Sequence, residues 1–244
     1  MFALLKAIFY IPLYNGLIFL IDVLPGHSVG IAVILFTCLV KLVLSPLSHK
    51  AAKFQLEMKL HEPEINRLKE QFKADKQAQG KAILDFYREK KINPFAGILP
   101  LFIQIPIFIS LYYVFYAGGL PSIDSSLLYS FVAVPVPDMH LFGFNILEKS
   151  MLLAVLAGVA QFLQAHYAMP PAPPKTDTPS LGNDLARGMH MQMKYVLPVF
   201  MVFIAYAING AVALYFITSS LFTIAQELVV RRSLKKGHPT HPDK

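Results

Sequence analysis

The run Gly30-Ile31-Ala32-Val33-Ile34-Leu35-Phe36-Thr37-Cys38-Leu39-Val40-Lys41-Leu42-Val43-Leu44-Ser45-Pro46-Leu47 decides the fold class of this chain. It carries a single charge, Lys41, in an otherwise apolar sequence. A helix of this length reaches about 27 Å, close to the roughly 30 Å hydrocarbon core of a bilayer. Four further apolar runs follow, at residues 98–116, 150–168, 195–208 and 210–230. The fourth of the five is short, about 21 Å as a helix, and needs extra turns from Met191 onward or a thinned bilayer. Asn209-Gly210 is a turn dipeptide that splits the last apolar region into a hairpin. The expected fold is therefore all-α and polytopic, with five transmembrane helices.

Composition agrees with that reading. Hydrophobic residues make up 55% of the 244 residues and charged residues 15%, against about 25% charged in soluble domains. Mean hydropathy is +0.50. The net charge of +7 falls in blocks between apolar runs, as in loops kept on the cytoplasmic side. Residues 50–91 hold eleven basic and seven acidic side chains, and the tail has Arg231, Arg232, Lys235, Lys236 and Lys244. Residues 117–145 contain no Lys or Arg, only Asp124 and Asp138. The sequence thus predicts that residues 50–91 and the tail are cytoplasmic, and that residues 117–145 are extracytoplasmic.

The expected organisation has five parts. Residues 1–27 form an N-terminal helix, 28–48 the first core span, 49–92 a cytoplasmic helical hairpin, 93–230 four further spans with their loops, and 231–244 a basic cytoplasmic tail. The N-terminal stretch is apolar but interrupted by Lys6, Pro12, Asn15, Gly16 and Asp22. It reads either as a sixth span or as a helix lying in the outer interface. No small-x-small site follows a compact apolar core, so a cleaved signal peptide is not expected. In the hairpin, Phe54, Met58, Ile65, Leu68 and Phe72 recur at helical spacing, residues 74–80 read as a turn, and Ile83, Leu84, Phe86 and Tyr87 mark a second helix. Residues 170–183 are rich in Pro, Ser and Thr and read as a flexible loop.

Polar residues inside the apolar runs mark a candidate site. Lys41 is flanked at four-residue spacing by Thr37 and Ser45, one helical face. With Ser48 at the inner boundary, Lys41 lies about 10 Å deep. A lysine near mid-helix costs about 2.5–3.5 kcal/mol on insertion scales, and no acidic residue in the other runs is an obvious partner. A water-filled cavity open to the cytoplasm answers the cost; snorkelling with local thinning is the alternative. Gln104 in the second run, Gln161 and Gln164 in the third, and Ser219, Ser220, Thr223 and Gln226 in the last add polar stripes. Singly, such residues bond neighbouring helices; together with a lysine they point to a shared hydrated groove.

No phosphate loop, His-Glu-x-x-His helix or Gly-x-Ser-x-Gly elbow is present in the sequence, and no catalytic residue, cofactor or metal is expected. His238 and His241 sit in a Pro-rich tail, where solvated side chains are the simpler reading, and His166 reads as interfacial. Cys38 reads as a small packing residue. DNA is not an expected partner.

At residues 93–108, Asn-Pro-Phe-Ala-Gly-Ile-Leu-Pro-Leu-Phe-Ile-Gln-Ile-Pro-Ile-Phe, the sequence resembles the YidC/Oxa/Alb membrane protein insertases. The order of elements is similar too: a span ending in Ser45-Pro46-Leu47, a charged hairpin, the Asn-Pro motif, then Gln161-Phe162-Leu163-Gln164 and residues 214–222. The likeness covers about residues 10–232. It implies an energy-independent insertase in the inner membrane, with a groove open to cytoplasm and lipid and closed to the outside. It also implies that residues 1–24 lie on the outer surface. Three positions depart from the family pattern: Lys41 stands where arginine is usual, Ala96 replaces a glycine, and Asn209 stands where proline is frequent. Lysine keeps the charge but loses arginine's planar fork of donors.

The partners implied are nascent membrane proteins and the lipid bilayer. Lys41 would attract acidic residues of an incoming segment. The basic hairpin and tail suit a ribosome, targeting machinery or a Sec-type translocon, or anionic headgroups. The competing class is a solute channel or secondary transporter, against which stand the lack of an internal repeat and of a chain of membrane carboxylates. A structural subunit of a larger complex is a third reading.

Overall fold

The computed structural model describes all residues other than 1–3, 5, 94–98, 116–119, 169–186, 189 and 238–244. The Pro-Phe-Ala-Gly-Ile part of the family-like motif, the Pro-rich loop and the His-Pro tail lie outside the described residues. The described chain is mostly helical, so the all-α class holds. In chain order the helices are α1 (Ile11–Val23, preceded by a π-turn, Lys6–Tyr10), α2 (Val29–Val43), α3 (Ser45–Leu60), α4 (Glu62–Gln71), α5 (Lys76–Glu89), α6 (Leu99–Phe115), α7 (Met151–Ala168), α8 (Leu197–Ile208, preceded by a π-turn, Gln192–Val196) and α9 (Gly210–Gly237). Two short strands, β1 (His140–Leu141) and β2 (Phe144–Asn145), pair antiparallel in the α6–α7 connection. Two compact units divide the chain, Met1–Val43 with Gln104–Gln226, and Leu44–Ile103 with Glu227–Lys244.

The first unit inverts the packing of a soluble protein. On α7 the small residues Ala154, Ala157, Gly158 and Ala160 face inward, while Leu152, Val155, Leu156, Val159 and Phe162 are exposed. Helix α8 buries Ala205 and exposes Val199, Phe200 and Phe203. Small residues let two backbones approach closely, and large apolar residues on the outside suit a solvent of acyl chains. The approach is close at Gly158, where an added Cβ would strike Val202 and fall 3.1 Å from the Pro198 carbonyl oxygen. By length and composition, Lys6–Val23 and Gly210–Val230 are long enough to cross a membrane, and α2 joined to the first turns of α3 makes a third candidate. Gln104–Phe115, Met151–Tyr167 and Gln192–Ile208 are shorter apolar helices. The π-turn before α8 extends the fourth run back to Gln192, and the extended run remains among the shorter apolar helices.

Helix α1 is fastened to the end of α6 and to the α6–α7 connection. At its start Tyr10 stacks on Tyr14 and meets Tyr113, near the end of α6, at a centroid distance of 6.2 Å. In its middle the Tyr14 hydroxyl accepts from Asp124 N–H at 2.8 Å. Beside it the buried Asn15 amide donates to the carbonyls of Ile11 (2.9 Å) and Leu127 (2.8 Å) and accepts from Tyr129 N–H (2.6 Å). Beyond its end, His27 and Val29 exchange backbone bonds with Asp138. The start of α1 therefore meets the end of α6, while its middle and the segment beyond its end meet the α6–α7 connection.

Helix α2 stops at Val43 and α3 begins at Ser45. Pro46 has no N–H to continue the ladder, and its ring crowds the carbonyl four residues back. This break corrects the expected continuous Thr37/Lys41/Ser45 stripe: Ser45 belongs to a separate helix and to the second unit. It also moves Lys41 from mid-helix to the last turn of α2, where the negative end of the helix dipole favours a cation.

The second unit carries the charged hairpin. Ile65, Phe86 and Ile92 form its buried core, with Phe54, Met58, Leu68 and Tyr87 packed against them, and burial raises the Tyr87 hydroxyl above its usual pKa. The α4–α5 turn falls at residues 72–75, earlier than residues 74–80. Asp75 caps α5 by accepting from Gln77 and Ala78 N–H at 2.9 and 3.0 Å, which commits Lys76 onward to the helix. At the other end of α5, Ile92 N–H bonds the Tyr87 carbonyl (2.8 Å) and Lys91 N–H the Arg88 carbonyl (3.2 Å), with Lys91 at φ +56°. That is a Schellman cap with lysine in the position glycine usually takes.

Candidate functional site

Helix α9 gathers the polar residues of the other helices in the first unit. Tyr215, Ser219 and Thr223 recur every four residues and so share one face, with Ser220 at the next position round. Lys41 Nζ donates to Thr223 Oγ1 at 3.3 Å, and the Thr223 hydroxyl donates to the Ser219 carbonyl at 2.8 Å. Gln104 on α6 donates to the Tyr215 hydroxyl. Ser220 donates to Gln161 Oε1 on α7 at 3.2 Å. Three helices thus meet α9 through hydrogen bonds, inside a bundle whose outer surface is apolar.

The chemistry of the constellation centres on Lys41. An ammonium has three donors and no acceptor, and Thr223 takes one of them. Among the described residues no carboxylate pairs with Lys41. The side chain is half-buried, so its remaining donors can serve water or an incoming carboxylate. The surrounding hydroxyls and amides both donate and accept, and can exchange partners with a polar guest at small cost.

The sequence-derived residues divide into three groups. Lys41, Gln104, Gln161, Ser219, Ser220 and Thr223 come together on α9. Gln164 is half-buried, one turn beyond Gln161 on α7. Thr37 is buried, and its hydroxyl donates to the Val33 carbonyl within its own helix at 2.6 Å, while Ser45 lies past the break. Tyr215 joins this candidate set through Gln104 although the sequence does not single it out, because an aromatic in an apolar run reads as packing. Its four-residue spacing from Ser219 and Thr223 was the available signal.

Asn209 fixes the register of α9. Its side chain donates to the Phe115 carbonyl at the end of α6 (2.9 Å) and accepts from Val212 N–H (3.1 Å), capping α9. Gly210 and Ala211 N–H bond the carbonyls of Glu148 (2.9 Å) and Ile146 (2.7 Å). The helix that carries the site is thus anchored at its first turn to α6 and to the α6–α7 connection.

Comparison with known proteins gives the family. The family described as 60Kd inner membrane protein matches residues 20–237. Proteins named membrane protein insertase YidC, from Francisella tularensis subsp. novicida (strain U112) and subsp. tularensis (strain WY96-3418), are each 34% identical over 210 residues. The match takes in 86% of this chain and 33% of each relative, so the chain spans about a third of the length of the curated relatives it matches. Apolar helices with small residues inside, polar groups converging on α9 and the match over residues 20–237 agree, and the chain belongs to the 60Kd inner membrane protein family, that of the YidC/Oxa/Alb insertases.

Proposed function

We propose that this chain inserts nascent membrane proteins into the lipid bilayer and helps them fold, using the polar face of α9 and Lys41 as a hydrated groove open to cytoplasm and lipid. The observation that carries this reading is the convergence of Lys41, Gln104 and Gln161 on one helix of a lipid-suited bundle. A polar segment held there crosses less hydrocarbon, and Lys41 attracts its carboxylates where water is scarce. The function is non-covalent: no bond is made or broken. In this reading α2, α6, α7, α8 with its π-turn, and α9 are the five spans, and the chain is a multi-pass inner-membrane protein. The connection between α6 and α7 lies outside; the charged hairpin and tail lie in the cytoplasm. Attachment of α1 to the end of α6 and, through its middle and the segment beyond its end, to that connection supports a helix lying in the outer interface over a sixth span.

The basic hairpin and tail fit polyanions, either ribosomal phosphate or anionic headgroups; a ribosome, targeting machinery or Sec-type translocon would dock there. The test is reconstitution of the purified chain in liposomes with a single-span substrate whose translocated end is acidic. Protease protection of that end should rise well above empty liposomes. Equal protection in both would remove the insertase reading.

A further inference from the structure

The α6–α7 connection bears large apolar side chains that the bundle does not cover. Phe142 is 91% exposed and Phe144 50%. Phe142 and Gly143 are the two central residues of the β1–β2 hairpin, with φ of +49° and +82°. Two positive φ values in a two-residue loop follow the type I′ pattern, whose first position favours Asn, Asp or Gly. An aromatic ring there suits neither the turn nor contact with water, and it sits at the very tip.

The hairpin is pinned in place. Asp138 N–H bonds the His27 carbonyl at 3.0 Å, and Val29 N–H bonds the Asp138 carbonyl at 2.9 Å. Leu141 lies on the first turn of α2, so close that a Cβ on Gly30 would fall 2.8 Å from its Cβ. The residue after Gly30 starts the exposed apolar row Ile31, Leu35 and Leu39. Phe142 follows Leu141 directly, so the tip lies beside the end of α2 at which that row starts. Residues 117–145 carry two aspartates and no Lys or Arg, so attraction to anionic headgroups is not what this surface offers.

We propose that the β1–β2 hairpin is a wedge into the outer leaflet, with Phe142 and Phe144 seated at the boundary between headgroups and acyl chains. Aromatic and aliphatic side chains at that depth hold interfacial elements in place. The wedge fixes the outer end of α2, and so the depth of Lys41 near its inner end. The inference rests on the bilayer-embedded bundle of the proposed function, and the test separates the two.

The chain contains no tryptophan, so one introduced residue reports alone. Phe142→Trp and, separately, Ile31→Trp are made in the full chain and reconstituted in phosphatidylcholine vesicles carrying a nitroxide near the headgroup end of the acyl chain, with iodide on both sides as the aqueous quencher. The expected result is loss of emission to the nitroxide at both positions, with iodide leaving both unquenched. Quenching of residue 142 by iodide alone, with residue 31 still quenched by lipid, overturns the wedge and leaves the embedded bundle standing. Shielding of residue 142 from both quenchers means a protein surface covers the tip, and also overturns it. Loss of lipid quenching at residue 31 overturns the embedded bundle itself, and the wedge with it.

Discussion

Lys41, in the last turn of α2, donates to Thr223 Oγ1 at 3.3 Å, and this contact joins the candidate cation to the polar face of α9. Lys41→Arg should retain insertion, because the charge and the helix-end position are kept. Lys41→Ala should slow insertion of substrates with acidic translocated segments by roughly tenfold or more, from the loss of a charge-assisted contact of about 1.5–3 kcal/mol. Thr223→Val should cost less, about fivefold, as one neutral acceptor is lost. Insertion rates in proteoliposomes check the series; full activity of the alanine variant on acidic substrates removes Lys41 from the mechanism.

Asn15 is buried and joins α1 to Leu127 and Tyr129. Asn15→Leu keeps the branched shape but leaves the Leu127 carbonyl and the Tyr129 N–H without this partner, which costs about 1–3 kcal/mol. Amide exchange at Tyr129 should speed up accordingly, while exchange in α4 and α5 stays unchanged. Unaltered exchange at Tyr129 would show that Asn15 does not hold the connection.

Gly158 allows α7 and α8 to approach. Gly158→Ala places a methyl against Val202 and 3.1 Å from the Pro198 carbonyl oxygen. Overpacking of this kind costs about 1–3 kcal/mol. The melting temperature in detergent should fall, and Val202→Ala should restore part of it; an unchanged melting temperature counts against the close packing.

Lys91 holds a left-handed conformation at the end of α5. Lys91→Gly relieves that conformation at some cost in unfolded-chain entropy, for a net gain of roughly 0.5–1 kcal/mol. Slower amide exchange at Ile92, whose N–H closes the cap, is the expected reading.

Asp138 accepts from the backbone N–H of His140 at 3.0 Å and faces its ring Nδ1 at 3.1 Å. These bonds, the backbone one first, hold the Asp138 carboxyl below its ordinary value of 3.8. A depressed folded value means the contribution is complete above the ordinary carboxylate value and is lost as pH falls below it. Hairpin amide protection should therefore weaken in acid beyond that point, and Asp138→Asn should abolish the dependence. Protection that ignores acid in the unsubstituted chain would contradict it.

The helical, membrane-suited class and the alternation of basic and cation-free connections could be read from the sequence alone. Apolar run length and the placement of Lys and Arg are properties of consecutive residues, and the cost of taking charge through hydrocarbon does not depend on which helix packs on which. Partnership between helices does depend on it. Thr37 looked like a flank of Lys41, yet its hydroxyl is satisfied inside its own helix. Ser45 looked like the other flank until Pro46 broke the helix between them. Asn15 looked like an interruption of an apolar stretch, whereas it bonds residues more than a hundred positions away. Tyr215, silent in the sequence, receives Gln104, while Thr223 receives Lys41. A buried polar group must find a partner, and only the packed chain decides which one lies within reach.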